Sequence, residues 1–128
     1  MLEQWDKVAI SAINIPLQDV SEEQRVEGTP RTGAVHLVTF EGGTIGVWEM
    51  THGVMRDTEV EEIFTVLAGK ASIEFEDGKV IDIAVGDIVR LHAGQRTIWR
   101  VTETLRKLYF SFSSPKIALS FPTLPFFV

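Results

Sequence analysis

The sequence predicts an all-β fold in a single domain, and three observations support that prediction. From Ala34 onward, segments rich in Val, Ile, Phe and Thr recur about every ten residues, separated by glycine or charged turns, a spacing typical of a sandwich or barrel of short strands. No segment shows a convincing helical pattern. Hydrophobic residues make up 45% and charged residues 23% of the 128 residues, a balance that suits one domain with one core.

Residues 1–33 are predicted to form an N-terminal arm and a loop ahead of the barrel. Residues 8–17 are apolar enough for a strand, which Asn14 and Pro16 would restrict to the edge of a sheet. Residues 21–33 are polar and rich in turn formers, so they predict a long surface loop.

The barrel itself is predicted over residues 34–113. Glu41-Gly42-Gly43 and Asp77-Gly78 indicate tight hairpin turns, because glycine readily adopts the positive φ that such turns need. The predicted strands are 34–40, 44–50, 62–68, 70–76, 79–85, 88–91, 96–102 and 105–113.

Residues 114–128 form a predicted C-terminal tail with three prolines and with Phe121, Phe126 and Phe127. Proline cannot sit in a central strand, and three exposed phenylalanines would make an apolar patch. We therefore expect the tail to pack over the barrel or across the interface of a homodimer, with a frayed chain end as the alternative.

Charge and composition exclude several classes of function. The net charge is −6, from 12 basic and 18 acidic residues, which disfavours a nucleic-acid partner. The absence of cysteine excludes disulfides, thiolate metal sites and cysteine nucleophiles. The first residues lack the pattern of a signal peptide, and no stretch is long and apolar enough to cross a membrane. We expect a cytoplasmic protein with no membrane partner.

The spacing of residues from Glu62 onward resembles the two sequence motifs of the cupin superfamily. Glu62 lies seven positions before Gly69, as the glutamate of the first cupin motif precedes its glycine. Gly86, Gly94 and Thr97 take the places of the two glycines and the histidine of the second motif. The resemblance implies an RmlC-like jelly roll, a double-stranded β-helix closed into a barrel.

The same resemblance implies a metal-ligand set that includes two histidines ahead of the glutamate. Counting back from Glu62, these places fall on Met55 and Asp57, or on Arg56 and Thr58. Only the acidic member of the set is therefore present in this chain.

A longer run, from Gly86 to Leu91 and on through Trp99 to Tyr109, is similar to the (S)-ureidoglycine aminohydrolase-type branch of the cupins. The characterised enzyme of that branch uses manganese held by His, Glu and Gln side chains. We predict no cofactor from these motifs, with a divalent metal as the alternative.

Strand alternation places Glu62 and Phe64 on the same face of their strand, and the resemblance turns that face inward. A carboxylate inside an apolar barrel is costly unless it is paired, and burial raises its pKa toward a range useful for acid–base catalysis. Lys107 and Tyr109 share one face of the last strand, and either could reach Glu62. We predict Glu62, Lys107 and Tyr109 as catalytic candidates, with a purely structural role for the same contacts as the alternative.

The predicted ligand-binding residues line the same interior. Thr97 and Trp99 share one face of their strand, and the Trp99 ring offers a wall for a planar ligand. Trp48 and Phe64 are further candidates, although packing in the core would explain all three rings. Arg56, at the edge of a loop, is a candidate for binding an anionic group.

The weak candidates for a metal site are Glu62, His52 and Glu59, which would form an unorthodox site of two carboxylates and one histidine. A histidine in a loop beside glycine is more often simply solvated. Glu59 and Glu61 are predicted to form a solvated acidic rim.

From the sequence, the leading hypothesis is a cupin that binds a small polar or planar metabolite. A cupin enzyme acting through Glu62, or through an altered metal site, is the second. A barrel with only a structural or assembly role is the third.

Overall fold

The computed structural model describes residues 6–112, and within this range the chain forms nine strands and one short 3₁₀ turn, Ile10–Ala12. The strands are β1 Gln18–Asp19, β2 Arg25–Glu27, β3 Arg31–Phe40, β4 Gly43–Met50, β5 Gly53–Thr58, β6 Glu61–Phe75, β7 Val80–Ala84, β8 Ile88–Leu91 and β9 Arg96–Phe112. The all-β prediction is confirmed.

A ribbon of two long strands, β6 and β9, organises the sheet. These strands pair antiparallel along nearly their whole lengths. On the free edge of β9, β4 pairs with the second half and β5 with the first half. On the free edge of β6, β8 pairs with the first half and β7 with the second. Beyond these, β3 and then β1 extend the sheet from β4, and β2 extends it from β5.

The curled sheet encloses the main core. The residues almost fully buried there are Phe64, Ile73, Trp99 and Leu105, from both halves of the β6–β9 ribbon, and Leu91 of β8. Side chains on β9 alternate as predicted, since Thr97, Trp99 and Val101 are buried and the residues between them face out. Alternation with a period of two is what a sheet with one buried face requires.

A second, smaller apolar cluster lies apart from the main core. It is built on buried Ile15, Leu37 and Val47. Ile13 of the N-terminal arm packs against this cluster, so the arm covers β3 and β4. Residues 8–17 do not form the predicted edge strand: they contain the 3₁₀ turn, and the sheet is extended on this side only by the following residues, Gln18–Asp19 of β1.

Two predicted breaks between strands prove to be wrong. The strands predicted at 62–68 and 70–76 are the single strand β6, and those predicted at 96–102 and 105–113 are β9. Gly69 lies at an irregularity in the β6–β9 pairing instead of at a hairpin turn. Its φ is +88°, and a Cβ there would stand 2.1 Å from the Thr104 carbonyl oxygen. Glycine therefore allows the two strands to cross closely while both continue.

Residues 53–58, which lie outside the predicted strands, form β5. Similarly, the predicted surface loop 21–33 contains β2 and the beginning of β3. These short polar strands gain their stability from pairing with β9 and β5, a long-range effect that their local composition does not reveal. The predicted tail, residues 114–128, lies outside the described residues. None of the described residues belongs to a helix long and apolar enough to span a membrane.

Candidate functional site

The centre of the barrel holds a buried ion pair. The Glu62 Oε2 atom of β6 lies 2.5 Å from the Lys107 Nζ atom of β9, and their side chains are 9% and 6% exposed. Lys107 and Tyr109 were the two residues predicted to reach Glu62, and Lys107 is the one that binds it. Two opposite charges buried together avoid the large cost that either would have alone.

Three aromatic rings surround the ammonium group of Lys107. Its Nζ atom lies 4.4 Å from the centre of the Phe64 ring, 4.7 Å from Trp48 and 4.8 Å from Trp99. A desolvated cation over the face of an aromatic ring is stabilised by roughly 2 kcal/mol or more. The predicted ligand-binding rings thus form a cage around the chain's own lysine, and Trp99 also contacts the rings of Trp48 and Phe64.

Above the cage lies a hydrogen-bonded group centred on Glu59. Its Oε2 atom accepts a 2.6 Å hydrogen bond from the Thr97 hydroxyl and a 2.9 Å bond from Trp99 Nε1. Glu59 is only 7% exposed, so the prediction that it belongs to a solvated rim is wrong. The missed signal was the inward pair Thr97 and Trp99, because a buried indole N–H needs an acceptor.

Glu61, the other residue of the predicted rim, points the opposite way. Its carboxylate accepts hydrogen bonds from the Arg90 side chain and, at 3.0 Å, from the Ala93 backbone N–H. It also pairs with the His92 ring at 3.2 Å. These donors, the Ala93 N–H first, lower the pKa of Glu61 to about 2. Glu61 fixes the β8–β9 turn against β6 and has no part in the interior.

Asp57 is a site residue that the sequence analysis did not select. It lies on β5 opposite Thr97, on the same face as buried Met55. Burial, followed by the nearby charge of Glu59, raises its pKa to about 6. Its Oδ1 atom accepts a 2.9 Å bond from the Thr58 backbone N–H, but its strongest electrostatic neighbour is another acid.

Burial also raises the pKa of two other groups in the barrel. The pKa of Glu62 is raised by desolvation, which outweighs the opposing effect of Lys107. The pKa of Tyr109 is raised by burial and then by the charge of Glu62. The Tyr109 ring lies against Gly46 of β4, where a Cβ would stand 2.3 Å from the phenol oxygen. Gly46 therefore makes room for this ring inside the barrel.

A cleft of about 770 Å³ opens at the end of the barrel where β6 ends and β9 begins. We call it the β5–β9 cleft. Its lining residues include Glu23, Gln24, Arg56, Asp57, Arg96 and Thr97. Asp57 and Thr97 connect it to the interior, since Thr97 binds Glu59 and Glu59 binds Trp99.

Arg56 lies on the rim of this cleft, with its side chain exposed. One of its Nη atoms donates a 2.7 Å bond to the Glu23 carbonyl oxygen, so the side chain bridges β5 and the turn before β2.

Trp48 and Glu49 are neighbours on β4 that point to opposite faces. Trp48 faces the interior and belongs to the cage, whereas Glu49 faces away and accepts a 2.9 Å bond from Arg106 Nε. Strand alternation explains why Trp48 and Glu49 point to opposite faces.

The carboxyl group of Asp57 should leave a measurable trace in the pH dependence of stability. A pKa that is raised from 3.8 to about 6 on folding gives stability that is complete below about pH 4 and is lost as the pH rises through 6. For this partly exposed group we expect a loss of roughly 1–2 kcal/mol. Asp57→Asn should therefore be more stable than the wild type at pH 7.5 and not at pH 4.5, as measured by urea unfolding.

Asp82, exposed on β7, offers a matched control for this measurement. Asp82→Asn should follow the wild-type pH profile. If Asp57→Asn followed it too, the Asp57 carboxyl group would not be held in the environment described above.

Comparisons with known proteins place this barrel in a family. The family model described as the EutQ-like cupin domain matches residues 39–109, which are more than half of the chain. The chain belongs to the EutQ-like cupin family. No curated protein matches the sequence.

Solved structures agree on the cupin fold. The EutQ protein of Clostridium difficile superposes with a TM-score of 0.65 at 18% identity, over 83% of this chain and 85% of that one. A putative ethanolamine utilization protein Q from Salmonella typhimurium LT2 gives 0.58 at 18% identity, over 79% and 97%. A DUF861 family protein of Thermotoga maritima gives 0.50 at 34% identity, over 52% of this chain and 76% of that one. The jelly-roll prediction is confirmed.

The metal that the cupin resemblance implies does not fit the residues of this barrel. Of the two alternative pairs at the histidine places that the resemblance implies, Met55 and Asp57 are the pair that faces inward, and Glu62, the glutamate of that implied set, is bound to Lys107. His52 is exposed in the β4–β5 turn. Within residues 6–112 no three His, Cys, Asp or Glu side chains form a group that could hold a metal ion, so His52, Glu59 and Glu62 do not combine into a site.

Proposed function

We propose that this cupin binds a small polar molecule in the β5–β9 cleft. The observation that carries the proposal is the cleft itself, whose volume of about 770 Å³ lies within the roughly 300–1,000 Å³ usual for small-molecule sites. Asp57 and Thr97 offer an acceptor and a hydroxyl at its inner end. Arg56 and Arg96 on the rim offer donors to a polar or anionic group.

In this proposal the aromatic residues have an indirect role. Trp48, Phe64 and Trp99 are in contact with Lys107, and Trp99 also supports Glu59. They would hold the floor of the site in one geometry and so limit the entropy that binding costs. Ligand contacts would come from Asp57, Thr97 and Arg56.

Asp57→Asn provides the test of binding in this cleft. A panel of small polar metabolites would be screened against the wild type by thermal shift, and hits would be measured by calorimetry. We expect at least one ligand whose affinity falls roughly 10- to 100-fold in Asp57→Asn, because a hydrogen bond to a charged group contributes about 1.5–3 kcal/mol. Asp82→Asn should bind as the wild type does.

Two results would contradict binding in this cleft. One is a panel in which no compound raises the melting temperature, since a ligand at 100 times its dissociation constant adds about 2.7 kcal/mol. The other is a ligand that binds Asp57→Asn and the wild type equally.

A second candidate function is acid–base catalysis in the same cleft. The observation that favours it is the position of Asp57 in the cleft lining, opposite Thr97 on the paired strand. Burial there, followed by the charge of Glu59, raises its pKa to about 6, which leaves the group able to accept or donate a proton near neutral pH. In this second candidate function Asp57 is the acid–base group, the role predicted from the sequence for Glu62. Glu62, Lys107 and Tyr109 then hold the inner end of the cleft in position. Turnover of a bound ligand by the wild type and not by Asp57→Asn, followed by NMR, would distinguish an enzyme from a binding module.

We also propose the cupin branch, the oligomeric state and the cellular location that the sequence predicts. The similarity from Gly86 to Tyr109 supports placement in the ureidoglycine-aminohydrolase-type branch. The apolar C-terminal sequence and the exposed side chains of Val85 and Ile88, 64% and 76% accessible, support a homodimer. The composition supports a cytoplasmic location.

A further inference from the structure

We infer that the Lys107 ammonium group is the resident cation of this barrel, held in a complete cation-binding site in the place where the cupin resemblance puts a metal ion. The inference is independent of the ligand proposed for the β5–β9 cleft. It concerns what Glu62 and the aromatic cage bind.

The ammonium group of Lys107 lies among one carboxylate and three aromatic rings. The Glu62 carboxylate lies 2.5 Å from Nζ, and three ring centres lie between 4.4 and 4.8 Å away. One carboxylate with three aromatic faces is an arrangement that recognises ammonium ions. Lys107 is 5% exposed, so the cation is held away from water.

The residues around Nζ suit an ammonium ion better than a metal ion. Trp48, Phe64 and Trp99 present ring faces, which attract a cation but provide no lone pair for coordination. The inward residue nearest the first histidine place is Met55, a soft thioether that hard divalent cations disfavour. A divalent ion at Glu62 would also lie beside the positive charge of Lys107.

The cation and part of its cage come from the same strand, β9. Thr97, Trp99 and Lys107 all face the interior, so one strand supplies the cage wall, the donor to Glu59 and the cation. A covalently attached cation has already lost its translational freedom, so filling the site costs little association entropy. The barrel therefore keeps a charged centre without depending on metal supply.

Chemical rescue tests this inference directly. Lys107→Ala leaves the cage and Glu62 without their cation, and n-propylammonium matches the removed end of the side chain. We expect n-propylammonium at millimolar concentration to raise the melting temperature of Lys107→Ala and to leave the wild type unchanged. n-Propanol, which has nearly the same shape without the charge, should leave both unchanged. Two outcomes would overturn the inference: equal stabilisation of Lys107→Ala by n-propanol and n-propylammonium, or no stabilisation by either compound.

A measurement on the wild type keeps the inference testable if Lys107→Ala does not fold. The probe is Mn²⁺ alone, whose paramagnetism broadens NMR signals of nearby protons, and the reporter is the Trp99 indole N–H, assigned with Trp99→Phe. We expect this signal to stay sharp with equimolar Mn²⁺, as in Glu62→Gln. Broadening in the wild type that is lost in Glu62→Gln would show a metal ion bound at Glu62 and would overturn the inference.

Discussion

Lys107→Ala is expected to lower the free energy of unfolding by about 3–5 kcal/mol, because it leaves Glu62 buried without its partner. The two side chains are 6% and 9% exposed, so the Glu62 carboxylate is left in a largely apolar interior. Burial already raises the pKa of Glu62, and removal of the neighbouring cation raises it further. The stability of the variant should therefore fall more steeply than that of the wild type as the pH rises above the usual glutamate range.

Urea unfolding at several pH values measures this loss, and two further variants interpret it. Lys70→Ala removes a lysine whose side chain is 68% exposed and whose partner, Glu103, lies 3.7 Å away; we expect a change below about 1 kcal/mol. Glu62→Leu combined with Lys107→Met replaces both charges by apolar groups of similar size. This double variant should recover most of the stability, because a buried ion pair often contributes no more than hydrophobic packing does.

The double variant Glu62→Leu, Lys107→Met also separates the effect of the ion pair on stability from its effect on ligand binding. If the double variant is stable but no longer binds a ligand in the β5–β9 cleft, the charges of the pair are needed for the site. A Lys107→Ala variant as stable as the wild type would contradict the buried pair itself.

Local sequence rules predicted the interior face of the barrel correctly. Alternation along a strand has a period of two, so the positions of Glu62 and Phe64 relative to one another, and of Thr97 and Trp99, follow from spacing alone. Gly42 and Gly78 marked real turns for a local reason, the positive φ that both adopt. These features depend only on neighbours in the chain.

The features that the sequence did not predict depend on distant contacts. Glu59 lies in a polar segment that resembles a solvated turn. It is nevertheless buried, because Thr97 and Trp99, which are 38 and 40 residues further along the chain, donate hydrogen bonds to it. The position of Asp57 in the site depends on the pairing of β5 with β9, which places it opposite Thr97. Gly69 looked like the end of a strand because glycine weakens strands in general, and only the approach of Thr104 explains its use inside β6.

Trp99→Ala is expected to destabilise the protein by about 3–5 kcal/mol, the usual cost of removing a large buried aromatic side chain. Trp99 is 1% exposed and is the residue that joins the two polar groups of the barrel. Its ring lies 4.8 Å from Lys107 Nζ, and its indole N–H donates to Glu59 at 2.9 Å. The truncation therefore opens a cavity and also removes one of the two donors that Glu59 has in the interior.

Trp99→Phe separates these two contributions, because it keeps an aromatic face toward Lys107 and loses the N–H donor. Its cost should be smaller, about 1–3 kcal/mol, as expected for a buried acceptor that loses one partner. Phe40→Ala, at a side chain that is 59% exposed, is the control and should change stability by less than about 0.5 kcal/mol. If Trp99→Phe cost as much as Trp99→Ala, the hydrogen bond to Glu59 would dominate. In that case Trp99 would act mainly by holding Glu59 beneath the β5–β9 cleft, and its contact with Lys107 would contribute little.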